Sequence, residues 1–147
     1  MKSNGFLINV FLYQIIKSYE TNSEIPKSVE IIGCYSFANC TNLKYASIPT
    51  VVRSIGEFAF YNCKVLEDIM ISPLVRIINK GTFAKCLKLQ TVKIPRSVER
   101  IDDDAFNECV SISEILIPSS VTKIGKRAFR KCESLKEVVI PFSVSLI

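Results

Sequence analysis

An isoleucine recurs every 23 residues, at Ile25, Ile48, Ile71, Ile94, Ile117 and Ile140, with no insertion between copies. No other feature of the chain restricts the fold as strongly. Taking that isoleucine as position 0, further columns fall into register. Position 4 holds Val29, Val52, Val75, Val98, Val121 and Val144, and position 7 holds Ile32, Ile55, Ile78, Ile101, Ile124 and Ile147. Position 12 holds Phe37, Phe60, Phe83, Phe106 and Phe129, and position 15 holds Cys40, Cys63, Cys86, Cys109 and Cys132. Position 18 holds Leu43, Leu66, Leu89, Ile112 and Leu135, and position 21 holds Ala46, Ile69, Val92, Ile115 and Val138.

A unit of this size cannot bury its own apolar face, whereas stacked units bury a continuous core and each touches only its neighbours. Around position 21, inward residues alternate with polar or variable ones, as in Ile115-Leu116-Ile117. That alternation reads as a short strand, closed by a proline that cannot donate to a ladder. The expected architecture is an α/β repeat solenoid: a right-handed leucine-rich-repeat coil of about five 23-residue rungs, with short parallel strands and short helical turns. Position 8 holds Gly33, Gly56, Asn79, Asp102 and Gly125, the residue types most tolerant of a left-handed backbone, so a turn with positive φ is expected there. Small residues at position 11 (Ser36, Ala59, Thr82, Ala105, Ala128) let the following turn pack closely, and positions 9 to 15 are read as a short helix or helical turn.

The cleanest copy runs Ile117-Pro118-Ser119-Ser120-Val121-Thr122-Lys123-Ile124-Gly125-Lys126-Arg127-Ala128-Phe129-Arg130-Lys131-Cys132-Glu133-Ser134-Leu135-Lys136-Glu137-Val138-Val139-Ile140-Pro141. This pattern resembles the BspA-like leucine-rich-repeat family. The resemblance covers 25–147 and departs from the pattern at Ile71-Ser72-Pro73, Asn79 and Asp102-Asp103-Asp104. It implies a recognition scaffold of the surface-antigen or adhesin type, found in bacteria and protozoan parasites, and names no ligand.

Two regions follow from the register. Residues 1–24 form an N-terminal capping segment, and 25–147 form the repeat domain with a truncated last repeat. The run Phe6–Ile16 behind Lys2 resembles a weak signal peptide. It falls short of the roughly 20 apolar residues a membrane span requires, Asn9 and Gln14 interrupt it, and no small-residue cleavage site follows. Thr21-Asn22-Ser23-Glu24 reads as a polar turn. The unfinished rung at Ile140, Val144 and Ile147 offers an end through which copies could associate.

The chemistry-bearing residues are sparse. The chain has no histidine, which removes the commonest general base and metal ligand, and it has no phosphate-binding glycine loop. No enzyme activity, metal or cofactor is expected. Five cysteines stacked about 4.8 Å apart lack the paired spacing of a zinc site and read as a buried thiol ladder. Cys34 stands off the ladder as an accessible thiol. The aspartate run lacks the spacing of a calcium loop. Lys123, Lys126, Arg127, Arg130 and Lys131 read as a solvated basic edge on one rung. With no interleaved aromatics and a net charge of only +5, nucleic acid is not expected as a partner.

Positions 20 and 22 flank the inward residue of the strand and should face solvent on the concave side. Among them are Tyr45, Asp68, Thr91, Glu114 and Glu137, and Met70, Lys93, Leu116 and Val139. Their chemistry varies while the inward columns repeat, as on a recognition surface carried by a fixed scaffold. A non-enzymatic protein-binding module using this face is the leading reading, with a protein ligand and no membrane span. The alternative is a structural repeat fragment that assembles through its C-terminal end. The resemblance places the protein at the cell surface or periphery, and the free thiols favour a cytoplasmic alternative.

Overall fold

The computed structural model describes residues 21–145. Nine short strands follow one another: β1 (Asn22–Glu24), β2 (Ile31–Ile32), β3 (Tyr45–Ser47), β4 (Ser54–Ile55), β5 (Asp68–Met70), β6 (Ile77–Ile78), β7 (Thr91–Lys93), β8 (Arg100–Ile101) and β9 (Lys123–Ile124). The odd-numbered strands β1, β3, β5 and β7 form one parallel sheet in that order. Its register advances by one repeat per strand, Tyr45 facing Asp68 and Asp68 facing Thr91. In β3, β5 and β7 the middle residue is buried and its two neighbours are exposed. The two-residue strands pair as β2-β4 and β6-β8-β9 on another side of the coil.

The strand at 22–24 replaces the polar turn expected there. Parallel pairing with Tyr45–Ser47 outweighs the weak strand propensity of Asn22-Ser23-Glu24. Regular pairing spans about four turns rather than five. Beyond β7 the ladder continues as a single bridge between Lys93 and Leu116.

The inward columns are buried as the spacing predicts except in their last copies, where Phe129, Leu135, Val138 and Val144 are partly buried and Ile140 is exposed. Phe37, Phe60, Phe83 and Phe106 are fully buried, and each ring stacks on the next with centroids 4.9 to 5.6 Å apart. Phe129 ends the stack, 5.5 Å from Phe106, and is partly buried.

Among the described residues there is no helix, contrary to the helical turn expected at positions 9 to 15. The reason lies in where the amide protons go. In the first rung the N–H groups of Tyr35, Phe37 and Asn39 donate to carbonyls of the next rung, at Glu57, Ala59 and Tyr61. The intervening Ser36, Ala38 and Cys40 donate three residues back, to Gly33, Tyr35 and Phe37. An α-helix would direct these protons to its own i−4 carbonyls; the neighbouring rung takes half of them instead.

The left-handed residues also lie elsewhere than expected. Positive φ falls at position 10 (Tyr35, Phe58, Gly81, Asp104, Arg127) and position 14 (Asn39, Asn62, Lys85, Glu108, Lys131), not at position 8. Each is the third residue of a turn closed by an i+3 to i hydrogen bond, where a type II turn demands positive φ. Glycine at position 8 answers a different need. A Cβ on Gly56 would collide with the backbone of Gly33 and Cys34, and one on Gly125 with that of Asp102 and Asp103.

A serine column closes another side. Ser97, Ser120 and Ser143, at position 3, each donate at 2.7 Å to the position 4 valine carbonyl of the preceding rung. Two rungs break this rule and present Val51 and Leu74, both exposed. In the third rung the buried Ser72 compensates by donating to Thr50 O at 2.9 Å.

Candidate functional site

Nine side chains at positions 20 and 22 were the candidates, and all nine are exposed. Strand register explains how seven of them come together. Because only the middle residue of each strand points inward, the flanking residues line the outer face of the sheet. Tyr45, Asp68 and Thr91 form one row across β3, β5 and β7, and Met70 and Lys93 belong to a second. The Lys93–Leu116 bridge extends the second row, and Glu114 follows two residues before Leu116. Glu137 and Val139 lie beyond the last paired strand, so the sheet does not hold them in register with the rest.

Two large apolar side chains stand uncovered on this face. Met70 is 65% exposed and Leu116 76%. A depression of about 250 Å³ lies among Tyr45, Ser47, Asp68 and Met70, and one of about 260 Å³ among Thr91, Lys93, Glu114 and Leu116. A larger hollow of about 780 Å³ lies at the proline corner, lined by Ile25, Pro26, Ile48, Pro49 and Val51.

Off the strand face, several carboxylates meet cations of the adjacent rung: Glu30 meets Arg53 at 3.7 Å, Glu99 meets Arg76, and Glu108 meets Lys131 at 3.7 Å, while Glu57 and Glu133 make no ion pair among the described residues. Asp104 accepts two bonds from Arg127, at 2.8 and 2.7 Å, and this guanidinium holds its carboxyl below the usual aspartate value. At the rim of the strand face, Lys44 pairs with Glu67 at 3.4 Å and lies over the Tyr45 ring, whose hydroxyl donates to Glu67 at 3.0 Å. Tyr45 first, and Glu67 second, hold the Lys44 ammonium above its ordinary pKa. On the face itself, Asp68, Lys93 and Glu114 make no ion pair among the described residues.

The other singled-out residues resolve plainly. All six cysteines are free; Cys34 is exposed and the five ladder thiols are buried. Burial pushes the Cys40 thiol up to about 12 and the Cys132 thiol to about 11, which leaves them protonated and unreactive at neutral pH. In the basic cluster, Arg127 and Lys131 are engaged with Asp104 and Glu108. Sequence reasoning missed an aromatic cluster on the turn side: Tyr35 stacks on Phe58 at 5.2 Å, and Phe58 meets Tyr61 edge-on at 5.9 Å. Two successive aromatics at position 10, Tyr35 and Phe58, with Tyr61 three residues beyond the second, were the signal available. Among the described residues, no helix is long and apolar enough to cross a membrane.

Parallel rungs of 23 residues, a stacked phenylalanine spine and an exposed strand face define a leucine-rich-repeat solenoid. The chain belongs to the BspA-type leucine-rich-repeat family, whose repeat region it matches in six copies over residues 11–136. Among solved structures it is similar to a leucine-rich cell surface protein of Faecalibacterium prausnitzii, with 38% identity and a TM-score of 0.77 over 80% of this chain and 31% of that one. A leucine-rich-repeat protein of T. pallidum is 33% identical, with a TM-score of 0.80 over 82% of this chain and 59% of that one. One from Bacteroides ovatus is 29% identical, with a TM-score of 0.72 over 84% and 38%. The chain thus spans less than two thirds of each of these relatives. No curated protein matches the chain.

Proposed function

We propose that this protein is a non-enzymatic, protein-binding repeat module of the cell surface that engages its partner through the strand face. The observation that carries this reading is the pairing of a fixed interior with an outward face where Met70 and Leu116 are left largely uncovered. A sheet backbone already fixed by the fold loses little chain entropy on binding, and buried apolar anchors carry most of an interface's energy. The surface location draws on the Faecalibacterium prausnitzii relative, described as a cell surface protein. Adhesin-like binding to a host or matrix protein is the specific role proposed.

The test is capture of purified extracellular-matrix and host proteins on immobilised protein. The doubly substituted Met70→Asp/Leu116→Asp variant should lose a partner that Arg127→Glu/Arg130→Glu retains. The opposite result would move the site to the basic edge.

A second reading, association of copies through the last described rung, rests on the full exposure of Phe142 and the partial exposure of Ile140. It requires molecular mass in solution to rise with concentration and Phe142→Asp to abolish the rise.

A further inference from the structure

We infer that the strand face is built for a basic amphipathic helix of a partner protein, an inference that rests on the strand-face reading and specifies its ligand. Three observations converge. The first is electrostatic. The chain carries a net charge of +5, yet the outward residues of the strand face include Asp68, Glu114 and Glu137 against a single Lys93. Carboxylates such as Glu30, Glu67, Glu99, Asp104 and Glu108 are matched with a cation of the neighbouring rung. Asp68 and Glu114 make no ion pair among the described residues, because the row they share holds Tyr45 and Thr91 rather than a cation. Both carboxylates are exposed and so open to a cation from a partner.

The second observation is spacing. Met70 and Leu116 occupy the same column two rungs apart, about 10 Å at the usual spacing of paired strands. Two turns of an α-helix rise about 10.5 Å between residues i and i+7. A helix lying across the rungs can therefore set apolar residue i on Met70 and residue i+7 on Leu116, with the turn between them passing over the aliphatic stem of Lys93. Lysines or arginines on one flank of that stripe then meet Asp68 and Glu114, each two residues from its apolar neighbour on the same rung.

The third is shape. The two depressions, of about 250 and 260 Å³, sit beside Met70 and Leu116 respectively, and each is large enough to take one aliphatic side chain rather than a folded ligand. Paired anchors, paired hollows and paired carboxylates thus recur at one interval.

The probes are two labelled three-heptad peptides with the same leucine pattern, one filled with lysine and one with glutamate, followed by fluorescence anisotropy at low and moderate salt. The lysine peptide should bind the wild-type protein, against the repulsion of the chain's net positive charge, and the glutamate peptide should bind at least about tenfold more weakly. Asp68→Lys/Glu114→Lys should reverse that preference while circular dichroism and thermal midpoint stay unchanged. Equal binding of both peptides to the wild-type protein, or no binding of the lysine peptide, overturns the inference and needs no variant. If Met70→Asp/Leu116→Asp abolishes binding but neither charge exchange matters, the basic helix is wrong and the apolar strand face stands. If Met70→Asp/Leu116→Asp binds as well as wild type, both fail.

Discussion

The thiol of Cys86 donates a hydrogen bond to the carbonyl oxygen of Phe60, one rung back and 3.2 Å away. The same bond joins Cys63 to Phe37 at 3.1 Å, Cys109 to Phe83 at 3.0 Å and Cys132 to Phe106 at 3.2 Å. Each of these carbonyls already accepts the amide proton of the cysteine three residues on, so the thiol takes its second lone pair. The cysteine column therefore stitches rungs together as well as filling space. Cys109→Ala should cost about 2 kcal/mol, the sum of a lost buried contact and an under-satisfied carbonyl. Urea denaturation of the variant measures it, and an unchanged midpoint would show that neither the thiol bond nor its packing holds the rungs together.

The same burial predicts a pH dependence. Thiols held protonated in the folded state, up to about 12 at Cys40 and about 11 at Cys132, ionise near 9 once unfolded. Above that value the unfolded chain binds fewer protons than the folded one, so stability falls as pH rises. Cys40 and Cys132 each contribute up to about 1.4 kcal/mol per pH unit between 9 and their folded values. Denaturation midpoints should be level from pH 7 to 8.5 and drop steeply above 9, with a shallower drop in Cys109→Ala. Over the level range, a thiol reagent should modify Cys34 alone until the protein unfolds.

Phe83 lies between Phe60 and Phe106, with centroids 5.6 and 5.4 Å away, and is fully buried. Phe83→Ala should cost about 3–5 kcal/mol. A domain of this size has only about 5–15 kcal/mol in hand, so calorimetry should show a large fall in melting temperature. A loss below about 1 kcal/mol would mean that the phenylalanine stack does not hold the core.

The solenoid, its period and its buried columns were legible because a 23-residue repeat forces identical environments on identical positions. Ile32, Val52, Phe83 and Leu89 could hardly sit anywhere but inside. Backbone detail was less accessible. Glycine at position 8 suggested positive φ, but glycine serves close approach as well as left-handed turns, and at Gly56 it is approach that matters. The left-handed positions carry Tyr35, Phe58 and Lys85, which no local propensity would nominate; Asn39, Asn62 and Gly81 were the weak signal. Inter-rung hydrogen bonds impose that conformation, and a single rung viewed alone does not contain them. The outward face was identified by alternation. That Asp68 and Glu114 make no ion pair among the described residues emerged only once their neighbours were placed.

The serine column yields a stabilising substitution. Val51 occupies a position where Ser97, Ser120 and Ser143 each bond the preceding rung. Val51→Ser should add a bond to the Val29 carbonyl and raise stability by about 1 kcal/mol. Thermal unfolding reads it, and a fall in stability would show that the exposed valine contributes packing at the proline corner.

Side-chain oxidation by hydroxyl radicals, read by mass spectrometry with and without bound partner, tests the strand-face account most directly. Met70 is exposed and chemically the most oxidisable residue on that face. The account predicts that a partner shields Met70 and Leu116 while Tyr35 and Phe142 react as in the free protein. Unaltered oxidation of Met70 in the complex, with protection at Tyr35 or Phe142 instead, would contradict it.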